Sequence, residues 1–403
     1  MIEYVEVRSK DTRELVGIID TAQSIIWKSS YYGVGEFEIY VAATPYTVGL
    51  LAEDNYITRP NNDECGIIEH IEITNSLQDG KMIAASGRFV KSILDRRIVF
   101  SASIVGSGTN YLWSCDGSVL SGNVETAVRK LIYDNAVNAT GSRPEVGSYR
   151  NIDEIYWTDA DVTGITDTIV TTDDSGDEQS AEKQVTYKVL LDYTDGVLQE
   201  YQCGAKMWLD LDLLKFRYKV YKGADRSIDN SVNNNPVIFS EDFDNLVSST
   251  YTADTTGIKN TALIGGEGEG TERKCAFLFT WGSGADSLKY IKGIGRRETF
   301  VDASSISSTY KDGEEEKTYT NDVYRKMLET QGRQEISDQN RVETFDGEID
   351  TTNSSFVYGT DYALGDIITI EDKDIGKYIN ARILTVTEVQ DENGYSIDIE
   401  YGA

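Results

Sequence analysis

Apolar and polar side chains alternate between Gly35 and Val41. Phe37, Ile39 and Val41 fall on one face, Glu36, Glu38 and Tyr40 on the other. A period of two residues predicts a half-buried strand. Ile67, Ile71 and Ile73 repeat the pattern around Glu69 and His70, and Asp79-Gly80 predicts a hairpin into Lys81–Arg88. Val90, Ile93 and Leu94 then share one side of a short helix within Phe89–Ile98. These elements suffice for a small β-barrel or sandwich with one helix. The far end of the chain shows the same period. Asp366–Ile370 reads as a short strand and Tyr378–Val389 as a longer one. Asn393-Gly394 predicts a type I′ turn, after which Tyr395, Ile397, Ile399 and Tyr401 alternate with Ser396, Asp398 and Glu400.

The middle is punctuated differently. Gly106, Gly108, Gly117 and Gly122 mark Ser101–Gly122 as loop-like. Asn123 is placed to cap a helix in which Val124, Ala127, Val128, Leu131 and Ile132 keep helical spacing, with Gly141 beyond its end. Glu182–Gln202 predicts a second helix through Val185, Val189, Tyr193, Val197 and Tyr201, with a break at Asp195-Gly196. Trp208, Leu209, Leu211, Leu213, Phe216 and Tyr218 predict a hairpin. Asn321 should cap a long, charged helix reaching Glu343, with Val323, Met327 and Leu328 as its early stripe and Gly332 as a kink. Its charged surface suits a helix lying over a barrel or between subunits.

Composition adds limits. A chain of 403 residues exceeds one ordinary core. Abundant Gly and Tyr, with Thr, Val and Ile, favour mainly β structure. The net charge of −30 opposes wrapping nucleic acid or docking on anionic lipid. Cys65, Cys115, Cys203 and Cys275 lie far apart, so free thiols in a reducing cytoplasm are expected, without a zinc knuckle or disulfide framework. No apolar run reaches membrane-spanning length, and Met1–Glu6 lacks the features of a signal peptide.

The candidate chemistry is thin. A single histidine, His70, sits on an alternating strand, and no Gly-x-Ser-x-Gly elbow supplies a nucleophile. A multi-histidine metal site is excluded by number. Asp159–Glu182 carries eight carboxylates and no Lys or Arg. Asp173–Glu178 invites a calcium-loop reading, but the spacing is not that of an EF-hand, and a solvated acidic loop accounts for it. Gly265, Gly266, Gly268 and Gly270 suggest a phosphate loop, yet no Gly-Lys-Ser/Thr follows, and Glu267 and Glu269 would repel phosphate. Those glycines fit a tight bend or close backbone approach. Carboxylate pairs and Trp27, Trp113, Trp157, Trp208 and Trp281 leave a polysaccharide-degrading enzyme open, although no acid/base set can be named. No catalytic, cofactor-binding or metal residue is assigned.

Several blocks carry a family resemblance. They are Lys219–Ser227, Phe239–Leu246 with Tyr251, Ile264–Arg273 and Gly295–Ala303, in Lys-Val-Tyr-Lys-Gly-Ala-Asp-Arg-Ser, Phe-Ser-Glu-Asp-Phe-Asp-Asn-Leu, Ile-Gly-Gly-Glu-Gly-Glu-Gly-Thr-Glu-Arg and Gly-Arg-Arg-Glu-Thr-Phe-Val-Asp-Ala. Gly35–Ile39, Gly66–Glu69, Gly87-Arg88 with Asp95–Arg97, Leu364–Thr369, Ala381–Ile383 and Gly394–Ile397 extend them over nearly the whole chain. In order and spacing the chain resembles the tail-tip (baseplate) hub, or tail-associated, proteins of long-tailed phages and prophages. The central blocks look closer to non-contractile tails.

That resemblance implies two β-barrel-like tube domains plus helix-containing peripheral domains. Residues 1–105 would form the first tube domain, 106–235 an α+β peripheral domain, and 236–403 the second tube domain with a helical insertion around 304–350. It implies a homotrimeric ring that joins the sixfold tube to the tip and lines a DNA exit channel. The implied partners are distal tail and tail tube proteins, the tape measure protein, and tip or fibre proteins. DNA would pass without specific binding, along a wall whose negative potential repels phosphate. The implied location is the virion tail tip, after assembly in the host cytoplasm. Ending straight after its last hairpin, the chain is expected to be a minimal, non-enzymatic hub. The competing readings are a host-surface adhesin and a polysaccharide-degrading tail enzyme.

Overall fold

The alternating stretches from the two ends of the chain meet in one sheet. The computed structural model describes residues 2–77, 80–107, 110–172, 178–180, 182–243, 245, 248–279, 291–312, 315–337, 342–349, 355–374 and 376–402. Strands Ser24–Ser30, Glu36–Ala42, Gly80–Arg88 and His70–Ser76 follow one another antiparallel. On the other side of Ser24–Ser30 lies Lys377–Asp391, also antiparallel, and Gly394–Gly402 pairs beyond it. Ile367–Asp372 pairs with Lys377–Asp391, and Ile238–Phe239 pairs parallel to Ile367–Asp372. The expected burial of Phe37, Ile39 and Val41, and of Ile397, Ile399 and Tyr401, is present.

A second sheet orders Leu15–Ile19, Val5–Arg8, Tyr56–Thr58 and Gly66–Ile67. Its Val5, Val7, Ile19 and Ile57 share a core with Ile25, Trp27, Phe37, Ile39, Val41 and Ile83. The sheets among the described residues are open, and no closed barrel is found. This corrects the barrel expectation. The Ser24–Ser30 strand gives its free edge to Lys377–Asp391, so the terminal segments continue each other instead of closing on themselves.

Smaller departures have local causes. Ser101–Ser107 and Asn110–Asp116 form a hairpin where the glycines predict a loop. Their opposed Val105 and Leu112 are 55 % and 77 % exposed, so burial imposes no readable pattern. Val90–Arg96 is a short helix as anticipated, of the 3-10 type. Ile73 is exposed although its spacing suggests an inward face, because His70–Ser76 lies at the rim of its sheet. The hairpin from it into Gly80–Arg88 is present, while Asp79 itself lies outside the described residues. After Lys377–Asp391 the positive φ falls on Gly394 alone, at 121°, with Asn393 N–H donating to Asp391 Oδ1 at 2.8 Å. The turn is therefore not the type I′ expected, which needs two successive positive φ angles.

The helix at Asn123 begins where predicted. Val124–Ile132 is capped by Asn123 Oδ1, which accepts from Thr126 N at 2.9 Å. The second helix is shorter than its apolar row suggests: Glu182–Val185 is a strand paired with Ser118–Ser121, and the helix spans Leu190–Glu200. Asp195-Gly196 does not break it. Asp195 is instead fixed by buried Lys91, 3.0 Å away. Gly196 faces open space, with no atom within 4 Å of where a β-carbon would sit. Gly196→Ala should therefore stabilise the protein by about 0.8–1 kcal/mol, the helix-interior difference between the two residues. Urea unfolding with an unchanged midpoint would contradict this. The hairpin Gly204–Asp210 and Lys215–Tyr221 follows as expected, burying Met207, Leu209, Phe216 and Tyr218.

By compactness the chain divides into Met1–Thr250 with Phe345–Ala403, and Tyr251–Thr344. The second unit has a sheet ordered Cys275–Phe279, Thr261–Gly265, Glu298–Asp302. Tyr324, Leu328 and Ile336 of helix Asn321–Ser337 pack on its Ala262, Ile264 and Leu278. Asn321 is the first helical residue, one later than the cap. The preceding Thr320 Oγ1 accepts from Val323 N at 3.4 Å. Gly332 is no kink: a β-carbon there would lie 2.7 Å from Ile264 Cγ1, so glycine lets the helix approach the sheet. The helix ends at Ser337, and Val342–Ile349 is a strand, so the expected run to Glu343 is too long.

Candidate functional site

The seam between the terminal strands is organised around buried Trp27. Glu388 stands directly opposite it in the register. The Arg59 guanidinium lies 4.9 Å from the Trp27 ring centroid and forms a two-point pair with Glu388, one contact being Nη1 to Oε2 at 2.9 Å. Tyr395 Oη donates to the same Oε2 at 2.6 Å. Both Arg59 and Glu388 are buried, so attraction and hydrogen bonds must offset a large desolvation cost. Trp27 Nε1 and Ser29 Oγ both donate to Glu64 Oε2, at 2.8 and 2.5 Å.

Burial pushes the Glu64 carboxyl above the usual carboxylate range, with Ser29, Trp27 and Arg59 opposing that shift. The folded state thus favours the protonated form. Stability is lost as pH rises from the unfolded value, about 4.3, through the folded one. Glu64→Gln keeps an acceptor for Trp27 and Ser29 but removes the charge. Its melting temperature should match wild type near pH 4 and exceed it increasingly toward pH 7. A pH-independent difference across a calorimetric series would refute this assignment.

Tyr31 pins three distant segments together. Its Oη donates to Gln202 O at 3.0 Å and accepts from Gly223 N at 3.2 Å. Burial raises its pKa to about 12. Two glycine backbones lie against its ring: β-carbons would reach within 2.5 Å of it from Gly204 and 2.2 Å from Gly365. Gly223 in turn abuts Gly365, where a β-carbon would sit 1.8 Å from the Gly365 carbonyl oxygen. Asp366 locks the same contact. Its Oδ1 accepts from Ala224 N at 2.7 Å, and its Oδ2 from Arg226 Nε at 2.9 Å and Ala363 N at 3.0 Å.

Beside this seam lies a cleft of about 450 Å³, lined by Gly33, Glu64, Lys206, Lys219, Tyr221 and Tyr358 among others. Lys206 is paired with Asp63 there. The single histidine does not line it: His70 is exposed on its rim strand. Among the described residues no group of three His, Cys, Asp or Glu is placed to hold a metal. Asp173–Asp177 of the acidic stretch, and Trp281, lie outside the described residues. All four cysteines are free thiols, Cys65 and Cys203 buried, Cys115 and Cys275 exposed. Among the described residues no helix is long and apolar enough to cross a membrane.

The sequence blocks singled out above are joints in this architecture. Gly35 and Gly66 admit the rings of Phe89 and Phe37, and Gly87 passes against the Ile67 carbonyl. Glu69 accepts from Arg88 Nε at 2.8 Å, and Arg88 also bonds Asp95 at 3.3 Å. In the second unit the glycine run folds against the helix. Glu267 N donates to Tyr324 Oη at 2.9 Å, and Arg273 Nη2 donates to Gly265 O at 3.1 Å. This is the close backbone approach expected of those glycines. Sequence reasoning misses Tyr31, Arg59 and Glu388. It reaches Trp27 only as one of the scattered tryptophans, although Ile25, Trp27 and Ser29 alternate inward along Ser24–Ser30.

Two solved structures share the fold across their length. The tail protein from Neisseria meningitidis MC58 matches with a TM-score of 0.51 at 11 % identity, covering 99 % of this chain and 96 % of that one. The 43 kDa tail protein of prophage MuSo2 from Shewanella oneidensis matches with a TM-score of 0.53 at 9 % identity, covering 99 % and 98 %. No curated protein sequence matches the chain. The family model described as Siphovirus ReqiPepy6 Gp37-like protein matches residues 4–403, so the chain belongs to that family of siphovirus tail proteins.

Proposed function

We propose that this tail protein is the tail-tip hub, three copies forming a ring that joins the sixfold tube to the tip and lines the DNA exit channel. The observation that carries this reading is the shared sheet, in which Ser24–Ser30 pairs with Lys377–Asp391. One chain thereby holds an N-terminal and a C-terminal β segment side by side. Three chains supply six such segments, the number a sixfold tube requires. Residues 1–105 and 236–403 are the two tube-type contributions, and 106–235 is the peripheral domain.

Its role is structural. Its neighbours are the distal tail and tube proteins, the tape measure protein, and tip or fibre proteins, at the tail tip of a virion assembled in the host cytoplasm. The net charge of −30 suits a conduit that must not hold DNA. Carboxylates along the axis keep phosphate from sticking. Neutralising those that face the axis should slow DNA ejection, and unchanged ejection kinetics would remove the electrostatic part of the reading. Absolute mass by light scattering across a concentration series tests the ring itself. Three chains per particle is the expected result, and a single chain at every concentration would contradict it.

A further inference from the structure

The cleft beside the seam gathers hydrogen-bond donors without partners. Lys206 and Lys219 stand directly opposite each other in the hairpin of Gly204–Asp210 and Lys215–Tyr221. Like charges in that position repel. Lys206 is answered by Asp63, but Lys219 has no acid partner among the described residues. Its ammonium lies 5.5 Å from the Trp208 ring centroid, a ring it shares with Arg217 and Lys206 at 5.3 and 5.9 Å. Burial, and then Lys206, pull the Lys219 pKa below the usual lysine value. With 68 acidic residues for 38 basic ones, this chain has acids to spare for a half-buried lysine that packing alone required. Neutral donors line the same cleft. Neither the Tyr221 nor the Tyr358 hydroxyl has a hydrogen-bond partner among the described residues. Asn62 Oδ1 accepts from Glu64 N at 2.8 Å, which leaves its Nδ2 without one.

We infer that this cleft binds a carboxylate group, paired with Lys219 and held by the hydroxyls of Tyr221 and Tyr358 and by Asn62 Nδ2. One unmatched positive charge calls for one negative charge. Asp63 and Asp366, which also line the cleft, are each engaged by a cation, Lys206 and Arg226. A doubly charged phosphate would exceed the charge of Lys219 and be repelled by those two carboxylates. The volume of about 450 Å³ lies in the range of ligand pockets and admits an acidic side chain or a small free acid. The recognising chemistry is the same whether the carboxylate belongs to an acidic segment of a neighbouring chain or to a free acid. The inference goes beyond the hub reading and stands without the ring.

Isothermal titration calorimetry of the full-length protein at about 0.15 M salt tests it, with a capped tetraglutamate peptide, citrate and inorganic phosphate as probes. Saturable binding of a carboxylate probe is the expected result. Binding of the peptide alone assigns the site to a chain-borne carboxylate, and binding of citrate assigns it to a free acid as well. K219M should weaken that binding about tenfold or more, through loss of a charge-assisted contact. Y221F, which deletes one oxygen and keeps the ring, should weaken it about two- to tenfold and keeps the test decisive if K219M does not fold. K10M removes an exposed lysine outside the cleft and should leave affinity unchanged. No saturable binding of either carboxylate probe would overturn the inference. So would phosphate binding as tightly as the carboxylates, or equal weakening by K10M and K219M.

Discussion

Glu388→Ala should destabilise the first unit by about 3–5 kcal/mol, the cost typical of leaving one member of a buried ion pair alone. Arg59 would remain buried over Trp27 with its Nη1 and Nη2 donors facing an empty volume, and its Nε already has no partner among the described residues. Tyr395 Oη would lose its acceptor as well. Arg59→Ala should cost a similar amount, because Glu388 would then keep only the Tyr395 hydroxyl. The double variant Arg59→Met/Glu388→Leu should recover most of the loss, since apolar side chains of similar volume commonly replace such a pair without penalty. Equilibrium urea unfolding of the three proteins separates the cases. Single variants within about 1 kcal/mol of wild type would mean that the pair does not hold the seam, as exposed pairs typically do not.

Gly365→Ala should be the next most damaging change, by about 2–5 kcal/mol: strain of about 1–2 kcal/mol adds to overpacking of about 1–3 kcal/mol. Gly365 has φ +91°, where an L side chain is strained, and its β-carbon would lie 2.2 Å from Tyr31 Cε2. Tyr31→Leu in the Gly365→Ala background should return part of the loss, because it removes the ring but not the backbone strain. Gly223→Ala should behave differently. Its β-carbon would meet the Gly365 carbonyl oxygen at 1.8 Å, and no side-chain change relieves a backbone clash. Urea midpoints for these variants, with and without Tyr31→Leu, give the contrast. Equal rescue of both glycine variants would contradict the assigned contacts.

The elements read best from sequence are those whose periodicity one buried face enforces. Glu36–Ala42 and Gly394–Gly402 show their alternation because every second side chain enters a core. The Val124–Ile132 helix is legible because Asn123 caps it and its apolar stripe is continuous. Where burial is weak the pattern fails, as in the exposed pair Val105 and Leu112, which leaves a hairpin looking like a loop. Glu182–Val185 fails for another reason. Val185 fits an i, i+4 row with Val189, but it is buried as the last residue of a strand.

The seam is illegible because its partners are remote. Arg59 and Glu388 are 329 positions apart, and Tyr31 meets Gly223 across 192. No local period reports such pairs. The glycines that admit them are visible only through the family resemblance, which marks Gly66, Gly87, Gly223 and Gly365 without saying what approaches each. The structure supplies that reason: a phenylalanine ring, two carbonyl oxygens and a tyrosine.

Imaging single particles of the purified full chain by electron cryo-microscopy tests the proposed ring most directly. The hub reading predicts threefold particles, with the terminal β segments of all three copies innermost and carboxylates facing the axis. Particles of one chain, or assemblies with the shared sheet facing outward, would contradict it.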